Sequence, residues 1–424
     1  MDGVQQHAPD PHGAVRAHRL TPMRGRDPHE KHRVATPLEL LFDLTFVVAF
    51  GVAASELSHM MAAGHVGAGI TGFVFSTFAI CLAWINFTWF ASAYDTDDWA
   101  FRLLTMVEMV GVLVLALGLP AFYASIEHGH HVNNAVLVAG YVVMRIALVA
   151  QWLRAARQNP AGRSAALTYA GIVSAVQVGW IGTVFLPTNV PVTLSIWVLL
   201  ALIELAGPII AEKRCGGTPW HAHHIAERYG LLTIIALGEG VVGTVASLSA
   251  VVAEHGWSWD AVLLAVSGTA LTFGMWWVYF MVPTADALHA HRERGFTFGY
   301  LHMPVYGAIV ATGAGLHTAA YFIEHKSALG SVATVLSVVV PVGIYIVLVY
   351  VLYTLMLRTV DSLHLVLLVL TAMVLAATVV LAGIGVPMAL CLLVASLAPM
   401  VSVAGFEIIG HRHVAAAVQA ASDH

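Results

Sequence analysis

The chain has 424 residues, of which 59% are hydrophobic and only 10% charged, and its mean hydropathy is +0.81. An ordinary soluble domain carries about a quarter charged residues, so a water-soluble globule is excluded. Three cysteines (Cys81, Cys215, Cys391) cannot form a disulfide framework, and a net charge of −5 argues against nucleic acid as a partner. The apolar excess must face lipid, so the composition defines an all-α polytopic membrane protein.

Residues 1–36 are rich in Pro, His and Arg and lack an apolar period, which reads as a disordered tail. No charged-then-apolar signal peptide precedes the first span. After Pro37 the chain becomes a series of apolar stretches, each needing about 20 residues to cross the hydrocarbon. Twelve spans are expected, at about 38–59, 67–91, 99–123, 132–153, 164–186, 192–211, 224–248, 260–282, 297–322, 331–356, 362–381 and 385–406. Only a Gly-Ile-Gly turn at 383–385 separates the last two.

Lys and Arg fix the direction, because cytoplasmic loops retain them. Arg16, Arg19, Arg24, Arg26, Lys31, Arg33, Arg154, Arg157, Arg163, Lys213, Arg214, Arg292, Arg294, Arg358 and Arg412 fall on one side, against Lys326 alone on the other. Both termini are therefore expected inside, with 409–424 a cytoplasmic tail and the inner (plasma) membrane as the location. The outer loops hold histidines instead, including Glu127-His128-Gly129-His130-His131. Imidazole suits several transition metals, but one short cluster is better read as a solvated loop, so no metal site is expected.

Sliding the chain on itself by 188 residues aligns Glu39 with Glu227, Leu44-Thr45 with Leu232-Thr233, Trp89 with Trp277, Thr96 with Thr284 and Asp98 with Asp286. Each glutamate opens a span, and each tryptophan sits near the inner end of the next. Two six-helix halves, 37–212 and 213–408, are expected. An even repeat keeps its orientation, so the pseudo-axis runs along the membrane normal.

A charge at the bilayer centre costs about 2.5–3.5 kcal/mol on insertion scales, which makes each a functional candidate. Glu39 and Asp43 stand at i and i+4 on one face of span 1. Span 7 opens with His223-His224-Ile-Ala-Glu227-Arg228 and carries Glu239, roughly 18 Å beyond Glu227. Glu108 and Arg145 fall near mid-depth and are expected to form a structural ion pair; Glu204 lies slightly inward. Glu39, Asp43, Glu227 and Glu239 outnumber their cations, so an acidic cavity between the halves is expected, with His224 and Arg228 at its rim. Helix capping is the competing reading for Glu39 and Glu227.

Other motifs lack their context. Gly67-Ala-Gly69-Ile-Thr-Gly72 matches G-x-G-x-x-G, but no strand precedes it. Asn86-Phe-Thr88 lies inside a span. His224 and Glu227 have the i, i+3 spacing of di-metal helical sites, which need further ligands, and His302, His317 and His364 as haem ligands would have to meet at equal depth. The tryptophans near span ends read as interfacial belt or packing.

The run Pro37-Leu-Glu39-Leu-Leu-Phe-Asp43-Leu-Thr-Phe, Trp84-Ile-Asn-Phe-Thr-Trp89 through Asp97-Asp98, Tyr141-Val-Val-Met-Arg145 through Arg157, and His223-His224-Ile-Ala-Glu227-Arg228 through Glu239 resembles the low temperature requirement A (LtrA) family of bacterial membrane proteins over residues 33–407. The family name records a cold-growth requirement and implies no substrate or catalytic residue. The residues themselves point to an ion- or proton-linked transporter or channel. The alternatives are a membrane-embedded enzyme or redox protein acting on a lipid or quinone through Glu227 and His224, and a non-transporting sensor. No cofactor is called for. The expected partners are the lipid bilayer, a small ion or solute and, as an option, a second copy in a homodimer.

Overall fold

The computed structural model describes residues 20–28, 30, 33–129, 131–358 and 362–413. Twelve long helices follow one another: α1 (Pro37–Ala62), α2 (Val66–Tyr94), α3 (Trp99–His128), α4 (Ala135–Gln158), α5 (Arg163–Phe185), α6 (Val190–Arg214), α7 (Ala222–His255), α8 (Trp259–Phe280), α9 (Gly295–Ile323), α10 (Ser331–Leu357), α11 (Ser362–Gly383) and α12 (Met388–Gly405). A short helix, Thr284–Ala290, follows α8, and a π-helical turn, Phe406–Gly410, extends α12. There are no strands among the described residues.

The starts of these helices are written locally. Pro37 opens α1 behind a Thr36 cap, and Asp98, Asn189 and Ser258 cap α3, α6 and α8 through their side chains. Each supplies an oxygen to an orphan backbone N–H in the first turn. The expected spans mostly start within a residue or two of the helices but end short of them, because the ends cross the interface on residues less apolar than the core.

Eleven of the helices are long and apolar enough to cross a membrane on their own; α9 is not among them despite its 29 residues. Packing explains the difference. α9 sits between α7 and α10 and also reaches α1 and α2, so it meets protein on most sides and tolerates His302, Thr312, His317 and Thr318. The tightest hairpin is α3 with α4. A Cβ added at Gly118 would stand 2.4 Å from the Leu137 nitrogen, and one at Gly140 only 2.3 Å from that of Leu115. Small residues let membrane helices approach backbone to backbone.

Within residues 37–214, α1 packs on α2 and α3, α3 on α4, α4 on α5 and α5 on α6; within 222–405, α7, α9, α10, α11 and α12 repeat that order, with α8 beside α7. α8 also packs extensively on α12, which has no counterpart of similar extent in the first half. Between the halves, α1 and α2 meet α7 and α9.

One expectation is corrected here. The described part of the N-terminal segment is not a free tail. Thr21 N–H donates to Asp98 (3.0 Å), Met23 N–H to Gln158 (2.8 Å), Arg26 N–H to the Ala93 carbonyl (2.9 Å) and Ala35 N–H to Glu227 (3.2 Å). Composition hides this, because backbone groups and one buried methionine hold the segment down. Residues 1–19 lie outside the described residues, as do 414–424 of the expected C-terminal tail.

Candidate functional site

The first turn of α1 forms a capping box: Thr36 Oγ1 accepts from Glu39 N–H at 3.3 Å, and Glu39 Oε2 accepts from Thr36 N–H at 2.8 Å. The capping reading of Glu39 therefore holds, yet it is not the residue's whole role. Its carboxylate is fully buried and also meets α7, with His224 Nε2 at 3.2 Å and Arg228 Nη1 at 2.8 Å. One turn further in, Asp43 receives the fork of Arg228, Nη2 at 2.5 Å and Nε at 3.2 Å, together with Trp84 Nε1 at 2.6 Å. Two i, i+4 pairs, Glu39/Asp43 and His224/Arg228, thus face one another across two helices. A bidentate guanidinium on a carboxylate is among the stronger hydrogen-bonded pairs.

The same register continues inward. Glu39 meets His224, Asp43 meets Arg228, and Gly51 meets Glu239; a Cβ at Gly51 would lie 3.1 Å from Glu239 Oε1. The contacts advance together along both chains, so α1 and α7 run parallel. On the other side of Glu239, a Cβ at Gly313 of α9 would stand 2.7 Å from its backbone. Glu239 is 6% exposed and lies about 16 Å beyond Arg228 along α7. Among the described residues it has no hydrogen bond and no ion pair.

The expected acidic cavity is corrected by this geometry. Glu39, Asp43, His224 and Arg228 form one closed cluster, with His224 and Arg228 at its centre rather than at a rim. Glu227, one residue from Arg228, points elsewhere and is half-buried, holding Ala35 N–H. Both carboxylates of the cluster have a cation within reach in Arg228, whereas Glu239 has none among the described residues. Spacing put Glu39 and Asp43 on one face but could not say what that face meets on another helix.

The expected Glu108–Arg145 pair is corrected too. Arg145 pairs with Glu204 of α6, whose carboxylate also accepts from Tyr141 and Trp180, both at 3.2 Å. Glu108 accepts instead from Gln151 Nε2 at 3.0 Å. The expectation paired Arg145 by depth and by its neighbouring span, and neither shows which carboxylate its side chain faces. Trp84 was also missed, because a tryptophan near a span end reads as belt until Asp43 is seen beneath its N–H.

Two further groups stand at the basic end of the bundle, the end that carries the basic loops. Arg33 is 6% exposed, donates to the Ala91 carbonyl at 3.1 Å and lies 3.9 Å from Asp95. Burial, reinforced by the nearby Glu39 charge, pushes the Asp95 carboxyl up to about 6. Burial also lowers Arg33. Among the described residues no group of three or more His, Cys, Asp or Glu side chains is arranged to hold a metal. His65 sits 3.2 Å from Glu127, and His131 donates to the Thr188 carbonyl. The His128 side chain and His130 lie outside the described residues. His302 uses both ring nitrogens, donating to Phe298 O and accepting from the Tyr279 hydroxyl.

Eleven helices long and apolar enough to cross a membrane, with an ionic seam buried among them, define a multi-pass helical membrane protein. Over residues 34–399 the chain matches the family model described as bacterial low temperature requirement A protein (LtrA), and it belongs to that family. It is also similar to the uncharacterized protein RA0937 of Rhizobium meliloti (strain 1021), 26% identical over 292 residues, which cover 65% of this chain and 67% of the relative.

Proposed function

We propose that the protein is a proton- or ion-linked transporter or channel of the bacterial inner membrane, with both termini cytoplasmic, built from two six-helix halves related by an axis near the membrane normal. The reading rests on one observation: Glu239, alone and buried at the junction of α1, α7 and α9. An unpaired charge at that depth costs about 2.5–3.5 kcal/mol. Any change of charge on Glu239 is therefore linked to how closely α1 and α7 pack around it. In the cluster nearer the basic end both carboxylates meet Arg228, and this cluster acts as the hinge of the seam. The basic-loop asymmetry and the parallel run of α1 and α7 support the orientation and the repeat.

The test is flux in reconstituted liposomes under an imposed pH gradient. Glu239→Gln keeps the shape and removes the charge, so it should fold normally and lose gradient-driven flux. Undiminished flux in that variant defeats the reading.

The alternative, a membrane-embedded enzyme or redox protein acting on a lipid or quinone, is favoured by one feature. A cleft of about 670 Å³ follows α9 from Tyr300 to Thr318, walled by α2 and α10, and its lining is almost wholly apolar. That is the size of a pocket for one small ligand. A stoichiometric cofactor spectrum with no flux in liposomes would favour it.

A further inference from the structure

We propose that protons reach Glu239 from the end of the bundle opposite the basic loops, along a path on which His59 and His317 pass them inward. This rests on Glu239 being the working acid proposed above. The path is drawn by two stripes of residues that start beside Glu239 and end at the surface.

The first stripe is Gly51, Ser55 and His59 on α1, and the second is Gly313, His317 and Tyr321 on α9. Each runs at i, i+4 spacing and so keeps to one face of its helix. The inner members flank Glu239: a Cβ at Gly51 would stand 3.1 Å from its carboxylate, and one at Gly313 2.7 Å from its backbone. The outermost members meet each other, with the His59 and Tyr321 ring centroids 5.4 Å apart. Just beyond them Ala328 N–H donates to the Ala62 carbonyl at 2.7 Å. α1 and α9 therefore run side by side in one direction. His317 stands about 6 Å along the axis from the level of Glu239, and His59 about 12 Å. His59 is within electrostatic reach of both His317 and Glu56.

Exposure rises along the same line. Glu239 is buried, His317 and Glu56 are half-buried, and His59 is exposed. In the other direction the seam is closed, because the side chains of Glu39, Asp43, His224 and Arg228 are wholly buried. The chemistry of the path selects what travels on it. A neutral imidazole takes a proton on one ring nitrogen and releases one from the other, so each ring ends neutral and the proton ends on the Glu239 carboxylate. Hard metal cations call instead for a shell of oxygens. The other titratable groups beside the path are Glu56 of α1, Tyr123 of α3 and Tyr321 of α9. At its mouth Glu324 pairs with Lys326 at 2.8 Å, and Glu254 lies 3.4 Å from His325.

The experiment follows Glu239 itself by time-resolved infrared spectroscopy of the full chain in detergent. After a pH jump, the carboxyl band that Glu239→Gln removes reports how fast Glu239 takes up its proton. His317→Ala and His59→Ala should each slow that uptake at least tenfold. Added imidazole should restore the rate, which a merely structural role would not allow. His59 is exposed, so its variant decides the matter even if His317→Ala folds poorly. His223→Ala removes an exposed histidine at the basic end and should leave the rate unchanged. An unaltered rate in either path variant, slowing without rescue, or slowing in His223→Ala overturns the path, as does a spectrum from which Glu239→Gln removes no band. Protonation needs no transport, so slowed and rescued uptake in a chain without flux counts against the transport reading alone.

Discussion

Two of the buried charge clusters of this membrane protein differ in what they join. Arg145, Glu204, Tyr141 and Trp180 join α4, α5 and α6 within one half, and each polar group points at another of the set. Glu39, Asp43, His224 and Arg228 join α1 to α7, helices far apart in sequence that run side by side and in the same direction. The first holds consecutive helices together. The second joins helices far apart in sequence, and beyond it lies Glu239, which among the described residues has no hydrogen bond and no ion pair. A buried pair is weak evidence of stability, because its desolvation offsets its attraction, whereas removing one partner alone is severe. Location therefore separates the two clusters better than strength does.

The first cluster should show the largest effect. Arg145→Ala leaves Glu204 buried with no cation and should cost about 3–5 kcal/mol, seen as a steep fall in the thermal unfolding midpoint of the detergent-purified protein. A midpoint unchanged from the parent would mean that the cluster does not hold α4 to α6.

At the basic end, Asp95 should give the next effect. Its carboxyl titrates near 6 in the folded protein against an ordinary 3.8, so the folded state binds the proton more tightly. Stability is then greatest below about pH 4, falls as pH rises towards 6, and is level above, a loss of about 3 kcal/mol at most. Asp95→Asn should flatten that interval. The same slope in the variant would assign it to another group.

Smallest of all is Glu108→Gln. Glu108 holds only Gln151, and an amide keeps an acceptor there, so the change should stay within about 1 kcal/mol. A fall as large as that of Arg145→Ala would restore Glu108 as the partner of Arg145.

Much of this was legible in the sequence. Long apolar runs and local caps place the helices, since hydrocarbon forces every backbone group into a helix. The i, i+4 spacing of Glu39 with Asp43 placed both on one face. What the sequence does not carry is the pairing between faces. Glu204 and Glu108 both lie inside apolar spans, and only the packing of α4 on α5 and of α5 on α6 brings Glu204 to Arg145. Residues 1–36 were read as a disordered tail because they lack an apolar period, while the described part is anchored through backbone N–H groups that composition cannot show. α9 was read as a span like the others, although protein contacts allow it to be less apolar than they are.

The coupling of Glu239 to the seam is tested most directly by distance. Spin labels at Leu44→Cys on α1 and Ile234→Cys on α7, both exposed positions, report the width of the seam in liposomes by pulsed electron resonance. In the parent chain the distance distribution should shift with pH as Glu239 changes charge, and Glu239→Gln should hold it at one value across the same range. An identical pH response in both proteins would contradict the link between Glu239 and the opening of the seam.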